Sequence, residues 1–97
     1  IKTLDQFEPF GMGNARPVFC TKGVLITSIA TMGTEGRHLR MTVAASGVFL
    51  KCVGFGMGAR MKDLRIGMTV DLLYHIGMNK WNGREEPQGI LVDVNAV

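Results

Sequence analysis

The sequence predicts an all-β protein, a small closed barrel of five strands with one short helix between the third and fourth strands. Runs of strand-forming residues alternate between apolar and polar positions, which is the period of a half-buried strand. Glycine-containing turn signals separate these runs at short intervals. Since an open sheet of such short strands would leave two unprotected edges, we expect the sheet to close.

The first predicted strand, residues 17–29, is interrupted by Gly23. A glycine inside a strand commonly marks a bend or bulge, and a bent first strand can serve both layers of a closed sheet. After a loop rich in glycine and threonine, the second strand has the predicted inward positions Leu39, Met41 and Val43. The turn Ser46-Gly47 leads into the third strand, residues 48–55, whose outward face stays open because apolar residues occupy both parities.

Residues 59–64 form a run too short for more than about two helical turns. The fourth strand follows, and its predicted inward positions are Val70, Leu72, Tyr74, Ile76 and Met78. Asn82-Gly83 then signals a hairpin, because a type I′ turn needs positive φ at both central residues. The fifth strand, residues 88–94, is predicted to face inward at Ile90, Val92 and Val94. This order of elements is that of an OB-fold, a small Greek-key barrel.

The hairpin turn carries the only tryptophan of the chain, Trp81, with the cations Lys80 and Arg84 and the amides of Asn79 and Asn82 beside it. A large aromatic side chain has no packing reason to lie at a solvated turn. Next to cations it suits a stacking platform with phosphate contacts, as in proteins that bind single-stranded nucleic acid. The alternative is that Trp81 folds back and caps one end of a small core. The residues alone leave both interpretations open.

An OB-fold holds its ligand on the face of its second and third strands and beside the loops that join strands 1–2 and 4–5. In this chain those loops are residues 31–37 and 80–86. The further candidate nucleic-acid-binding residues, on or near the exposed sheet, are Arg37, His38, Arg40, Phe49 and Lys51. Cations combined with aromatic rings favour nucleic acid as the ligand. The alternative is a solvated face on which Arg40 and Lys51 serve solubility.

Composition restricts the class of protein. The 97 residues fit one domain, with 46% apolar and 20% charged residues, as in soluble globular proteins. No apolar run approaches the roughly 20 residues that span a bilayer, so we expect no membrane contact. The net charge of +3 favours a polyanionic partner. Cys20 and Cys52 are too few and too distant for a disulfide framework or a zinc motif, so we expect buried free thiols in a reducing cytoplasm.

Catalytic motifs are absent from the sequence. His38 and His75 lie on different predicted strands, and the eight carboxylates form no metal-binding pattern. Residues 54–59 match the G-x-G-x-x-G/A spacing of dinucleotide sites, but no βαβ unit surrounds them. We attribute these glycines to a sharp turn from strand to helix. The chain is therefore predicted to bind rather than to catalyse, and to hold no metal or cofactor.

An ordered series of motifs runs through nearly the whole chain, at residues 4–19, 38–40, 55–58, 70–74, 79–84 and 92–94. In this order they resemble the OB domain of RecJ-type exonucleases. Two departures from that pattern stand out. Ala15 replaces a usual proline, which would loosen a turn, and Pro87 precedes Gln88-Gly89 at the start of the fifth strand. We therefore expect the fifth strand to pair late.

The resemblance implies a module of a single-strand-specific DNA exonuclease that degrades DNA 5′ to 3′ in recombination and repair. In that family, DHH and DHHA1 domains hold the catalytic aspartates and histidines with Mn²⁺ or Mg²⁺. The resemblance implies that residues 1–16 are a linking segment from an upstream catalytic domain. Residues 17–97 would be a monomeric OB domain that grips single-stranded DNA. The alternative is a module that docks on its parent's catalytic domains or on a partner protein through the apolar residues 4–10; an independent enzyme is a third class.

Overall fold

The computed structural model describes residues 2–3 and 17–97, with the side chains of residues 2, 3 and 81 excepted. The strands of the described residues are β1 (Lys2–Thr3), β2 (Phe19–Met32), β3 (His38–Ala45), β4 (Val48–Gly54), β5 (Thr69–Trp81) and β6 (Arg84–Ala96). The five predicted strands correspond to β2–β6. A 3₁₀ turn at Thr34–Gly36 and a 3₁₀ helix at Gly58–Asp63 lie between them. The predicted docking segment, residues 4–10, and the turn at Ala15 lie outside the described residues.

Five strands close into a barrel, as predicted. The sheet order is β1-β2-β3-β4-β6-β5, and β2 also pairs with β5. β2 achieves both contacts by bending, because residues 19–25 pair with β5 and residues 25–32 pair with β3. The bend lies at a bulge around Gly23, which has φ 73° and donates its N–H to Asp71 at 2.9 Å. The predicted bend at Gly23 is therefore confirmed, whereas the Greek-key winding stays a prediction.

The core fills the barrel with apolar side chains, including the predicted inward positions of β3, Leu39, Met41 and Val43. Alternation places them on one face because β3 pairs regularly with β4 from Leu39 to Ala45. The predicted short helix is a 3₁₀ helix, which packs against β2 and β3 and contributes Met61 to the edge of the core. Cys52 is buried as predicted, whereas Cys20 is half-buried.

A bulge in the β5–β6 ladder overturns part of the prediction for β6. The register passes from Leu73↔Asp93 to Tyr74↔Leu91, so that Val92 has no partner on β5. An extra residue reverses the alternation of a strand. Leu91 and Val94 therefore enter the core, while Val92 is 48% exposed and Ile90 half-buried. The predicted inward positions Ile90 and Val92 are wrong.

The second half of the β5–β6 hairpin extends beyond the barrel. We call residues 75–81 and 84–88 the arm. Within the described residues, 75–81 pair only with residues 84–90 of β6, and neither half of the arm pairs with β2 or β4. Ile76 and Met78, predicted to face inward, lie on the arm and are exposed, because the barrel core ends at Tyr74. The prediction of a type I′ turn is confirmed, with φ 52° at Asn82 and 74° at Gly83.

The expectation of late pairing at Pro87 is wrong. β6 pairs with β5 from Trp81↔Arg84 onward, and Pro87 lies opposite Met78 in an unbroken ladder. Pairs in an antiparallel ladder alternate between hydrogen-bonded and non-hydrogen-bonded, starting with a hydrogen-bonded pair beside a two-residue turn. Counted from that turn, Met78↔Pro87 is non-hydrogen-bonded, so the proline nitrogen points away from β5 and no ladder bond is lost.

Polar contacts flank the β5–β6 bulge, near the junction between the barrel and the arm. Arg60 of the 3₁₀ helix donates to Asp93 at 3.3 Å and to the carbonyl of Val94 beside the β6 bulge. The N–H of Val94 and the amide of Asn95 donate to the Asp93 carboxylate, and with Arg60 they lower the pKa of Asp93. On the other side of the junction, the Thr21 hydroxyl lies 2.8 Å from the hydroxyl of Tyr74.

Candidate nucleic-acid interface

A groove of about 620 Å³ runs along the outer face of β3 and β4 to the arm. Its lining includes Arg40, Thr42, Lys51, Val53, Phe55 and Asn79. The first four come from two cross-strand pairs, Arg40↔Val53 and Thr42↔Lys51, because alternate residues of paired strands share a face. Sheet and arm together therefore form a trough with cationic, apolar and amide groups.

In β4, the odd-numbered residues face outward. This answers which face of the strand points outward, a choice that the sequence left open. Leu50, Cys52 and Gly54 are half-buried or buried, whereas Phe49 and Lys51 are exposed. Cys52 has no exposed surface, and its burial raises the pKa of the thiol to about 12. The thiol therefore stays protonated near neutral pH and serves as core.

Two of the predicted binding residues on β3 have different surroundings. Arg40 is exposed, lines the groove and takes part in none of the ion pairs among the described residues. His38 is half-buried, accepts a hydrogen bond from the N–H of Gly56 at 2.9 Å and packs edge-on against Phe55. Its Nδ1 is therefore occupied within the protein. Arg37 is exposed just before β3 but is not among the residues that line this groove.

Among the described side chains, the aromatic one that lines the groove is that of Phe55, which sequence reasoning missed. Phe49, the predicted one, is 65% exposed but lies opposite Ala44 near the other end of β4 and does not line the groove. Phe55 is 60% exposed and does line it. The available signal was a bulky ring between two glycines at the end of a strand.

Carboxylates also lie at this interface. Lys51 and Glu86 form an ion pair at 3.6 Å between β4 and the arm, and Lys80 pairs with Glu85 at 3.6 Å. The two lysines and Glu85 are more than half exposed and Glu86 is 41% exposed, so each pair is worth only about 0–1 kcal/mol. Sequence reasoning counted the lysines without their partners, although both glutamates lie within the predicted loop 80–86.

The tip of the arm forms a second hollow, lined by Lys80, Gly83, Arg84 and Glu85. Asn82 is exposed in the turn, and Trp81 pairs with Arg84 in the ladder. The predicted sites thus divide into a groove set with Arg40, Lys51 and Asn79 and a tip set with Lys80 and Arg84. The choice between stacking and capping for Trp81 concerns a side chain outside the described part of the structure and stays open.

No group of three or more His, Cys, Asp or Glu side chains in residues 17–97 is placed to hold a metal ion. No helix within that range has the length and apolar character needed to cross a membrane. The imidazole of His75 contacts the backbone, with its Nδ1 2.9 Å from the carbonyl oxygen of Pro17.

Comparison with known proteins gives two kinds of likeness. The second single-stranded DNA binding protein, SSBb, of Mycobacterium smegmatis superposes with a TM-score of 0.69 and 20% identity, covering 82% of this chain and 84% of that one. RecJ of Thermus thermophilus in complex with Mg²⁺ has a TM-score of 0.62 and 27% identity, covering 91% of this chain and 13% of that one. The first likeness concerns the barrel fold alone and confirms it.

Sequence comparison identifies the family. The single-stranded-DNA-specific exonuclease RecJ of Bacillus subtilis (strain 168) is 27% identical over 93 residues, which are 96% of this chain and 12% of that protein. The chain therefore spans a small part of the length of this relative. The sequence profile of the RecJ OB domain matches residues 1–93. Because that match extends over nearly the whole chain, the protein belongs to the RecJ OB domain family.

Proposed function

We propose that this chain binds single-stranded DNA as the OB module of a RecJ-like 5′–3′ single-strand-specific exonuclease. The observation that carries the proposal is the groove, where the exposed Arg40 guanidinium and the exposed ring of Phe55 share one trough. Unpaired polynucleotides offer phosphates to cations and flat bases to aromatic rings. The relatives named for single-stranded DNA, one an exonuclease and one a binding protein, support this ligand class.

Cleavage belongs to another part of the proposed parent protein. We assign phosphodiester hydrolysis, and its role in recombination and repair, to catalytic domains upstream of residues 1–16, with the binding domain at residues 17–97. The RecJ of T. thermophilus has been crystallised with Mg²⁺ and with Mn²⁺, which supports one of these metals as cofactor of that catalytic part. We place the parent in the cytoplasm and this module in it as a monomer.

The primary test is a titration of the chain with a fluorescein-labelled oligothymidylate, followed by fluorescence anisotropy at low and moderate salt. Binding should weaken as the salt concentration rises. The slope of the logarithm of the association constant against the logarithm of the salt concentration should become more negative by about 0.7 for each phosphate contact on a single strand. A duplex of the same length is the control and should bind more weakly. Amide shifts confined to β3, β4 and the arm would support the groove as the site, while no change in anisotropy or shifts would overturn the proposal.

The tip of the arm has its own test. Trp81 is the only tryptophan, so its fluorescence reports on the arm alone. If a base stacks there, Trp81→Ala should cost about 1–3 kcal/mol of binding free energy, and the strand should quench the wild-type emission. Trp81→Phe keeps an aromatic ring and should retain most of the affinity. Equal affinity of the alanine variant and the wild type would exclude stacking on Trp81.

Docking within the nuclease is the second candidate function, and the apolar surface of the arm favours it. Ile76 and Met78 are 42% and 55% exposed. In the full-length parent, Ile76→Ser with Met78→Ser would then lower nuclease activity, while Arg40→Glu would leave it intact. The DNA-binding function predicts the opposite ranking of the two variants. The apolar segment expected from the sequence to dock, residues 4–10, lies outside the described residues.

A further inference from the structure

We infer that Phe55 is a stacking platform for an unpaired base and that His38 positions it. The inference rests on the proposed DNA-binding function and adds a binding residue and a positioning residue to it. Phe55 lies at the corner that follows β4 and is 60% exposed, so this large apolar side chain is not part of the buried core. Its ring lines the groove together with Arg40 and Asn79. A cation that can bind a phosphate and a ring that can stack on a base therefore lie in the same groove.

His38 holds Phe55 from the side. The centroids of the two rings lie 5.6 Å apart with an interplanar angle of 73°. This is one of the edge-to-face arrangements that aromatic pairs prefer. The Nδ1 of His38 accepts the N–H of Gly56, the residue after Phe55, at 2.9 Å. Since Nδ1 accepts, the proton of the neutral imidazole is on Nε2. One histidine thus fixes both the ring of Phe55 and the backbone that carries it.

Glycines allow this clamp to form. A Cβ at Gly33 would lie 2.9 Å from Cδ2 of His38, so the imidazole fits only against a residue without a side chain. At Gly58 a Cβ would lie 1.8 Å from the carbonyl oxygen of Gly36, and the Gly58 N–H donates to the carbonyl oxygen of Arg37 at 2.9 Å. The corner after β4 therefore docks directly on the loop between β2 and β3.

This docking accounts for the glycine pattern of residues 54–59, which resembles a dinucleotide motif in spacing only. Gly56 has φ 73°, a conformation that L side chains rarely adopt, and Gly58 makes the close contact just described. The two glycines turn the chain out of β4 and leave Phe55 at the groove. An aromatic ring fixed before the ligand arrives loses little conformational entropy on binding.

The test is a double-mutant cycle on oligothymidylate affinity, with anisotropy as the readout and thermal unfolding as the check on folding. Phe55→Ala should weaken binding at least about 5-fold, as expected for one lost stacked base. Phe55→Leu keeps apolar bulk without the ring face and should also weaken binding, whereas Phe55→Trp should retain it. Ile66→Ala, which removes an equally exposed apolar side chain outside the groove lining, is the matched control.

His38 is tested in the same cycle. His38→Ala should weaken binding in the wild-type background and have no further effect in the Phe55→Ala background, because it acts through Phe55. His38→Asn preserves an acceptor near Gly56 and should recover part of the loss. Full additivity of the two alanine substitutions would overturn the positioning role.

The outcomes separate the two proposals. A wild-type chain that fails to bind would overturn the proposed function and the platform with it. A wild-type chain that binds, with Phe55→Ala and Phe55→Leu of unchanged affinity, would overturn the platform alone. An oligonucleotide carrying 5-iodouracil supplies a direct readout, since photo-crosslinking to the peptide that contains Phe55 is expected and its absence would contradict contact.

Discussion

The sheet face of β3 and β4 and the arm both present exposed cations, but in different electrostatic settings. On the sheet face, Arg40 takes part in none of the ion pairs found in residues 17–97. Lys51 of the same face pairs with Glu86 of the arm, and at the tip of the arm Lys80 pairs with Glu85. The two regions also differ in support, because the corner beside the sheet face is locked by close glycine contacts while the arm extends beyond the core. The number of cations in a region therefore does not measure its readiness to hold a phosphate.

The largest expected effect concerns that difference in support. Gly58→Ala should lower the free energy of unfolding by about 2–3 kcal/mol, because a Cβ would meet the backbone of Gly36 and Arg37 and the corner has to shift. Gly77→Ala on the arm is the matched control. There the nearest atoms belong to the flexible Ile90 side chain at 3.3 Å, so the change should stay within about 0.5 kcal/mol. Urea denaturation of both variants measures the comparison, and equal losses would mean that the arm is as tightly supported as the corner.

The next effect tests the difference in charge setting. Arg40→Gln should weaken oligothymidylate binding on the order of tenfold, since its guanidinium, which takes part in no ion pair within residues 17–97, can form a charge-assisted bond to phosphate. Lys80→Gln removes the same charge but from an existing ion pair and should weaken binding only about twofold. Anisotropy titrations at several salt concentrations measure both variants. The distinction between sheet face and arm fails if the lysine variant loses as much affinity as the arginine variant.

The sequence allowed the fold to be predicted wherever a strand pairs regularly. Alternation placed Leu39 and Met41 correctly because the β3–β4 ladder has no bulge. The same rule failed at Val92, because a bulge is a property of two paired strands and leaves no mark in the alternation of one. The turn at Asn82-Gly83 was predictable since its backbone angles restrict the residue types that fit.

The candidate site was predictable in its residue types but not in its pairing. The alternation of β3 predicted that Arg40 faces outward. The sequence did not show which residues of β4 face outward, because apolar residues occupy both of its faces. The partnership of Lys51 with Glu86 depends on where the arm crosses β4, which only the closed barrel determines. Phe55 was missed for a similar reason, since its exposure depends on the contact between Gly58 and the loop before β3.

The smallest expected effect is a gain of affinity from removing a carboxylate. Glu86 lies 3.6 Å from the ammonium group of Lys51 and therefore competes with any phosphate for it. Glu86→Gln should strengthen binding about twofold to fivefold, the range set by the worth of an exposed ion pair. The released lysine also adds counterion release, so the salt slope should steepen by up to about 0.7. Asp63→Asn changes the net charge equally, but Asp63 forms no ion pair with a groove lysine among the described residues, so this control should alter affinity only slightly. Equal gains from both variants would show that net charge alone, rather than the release of Lys51, determines the affinity.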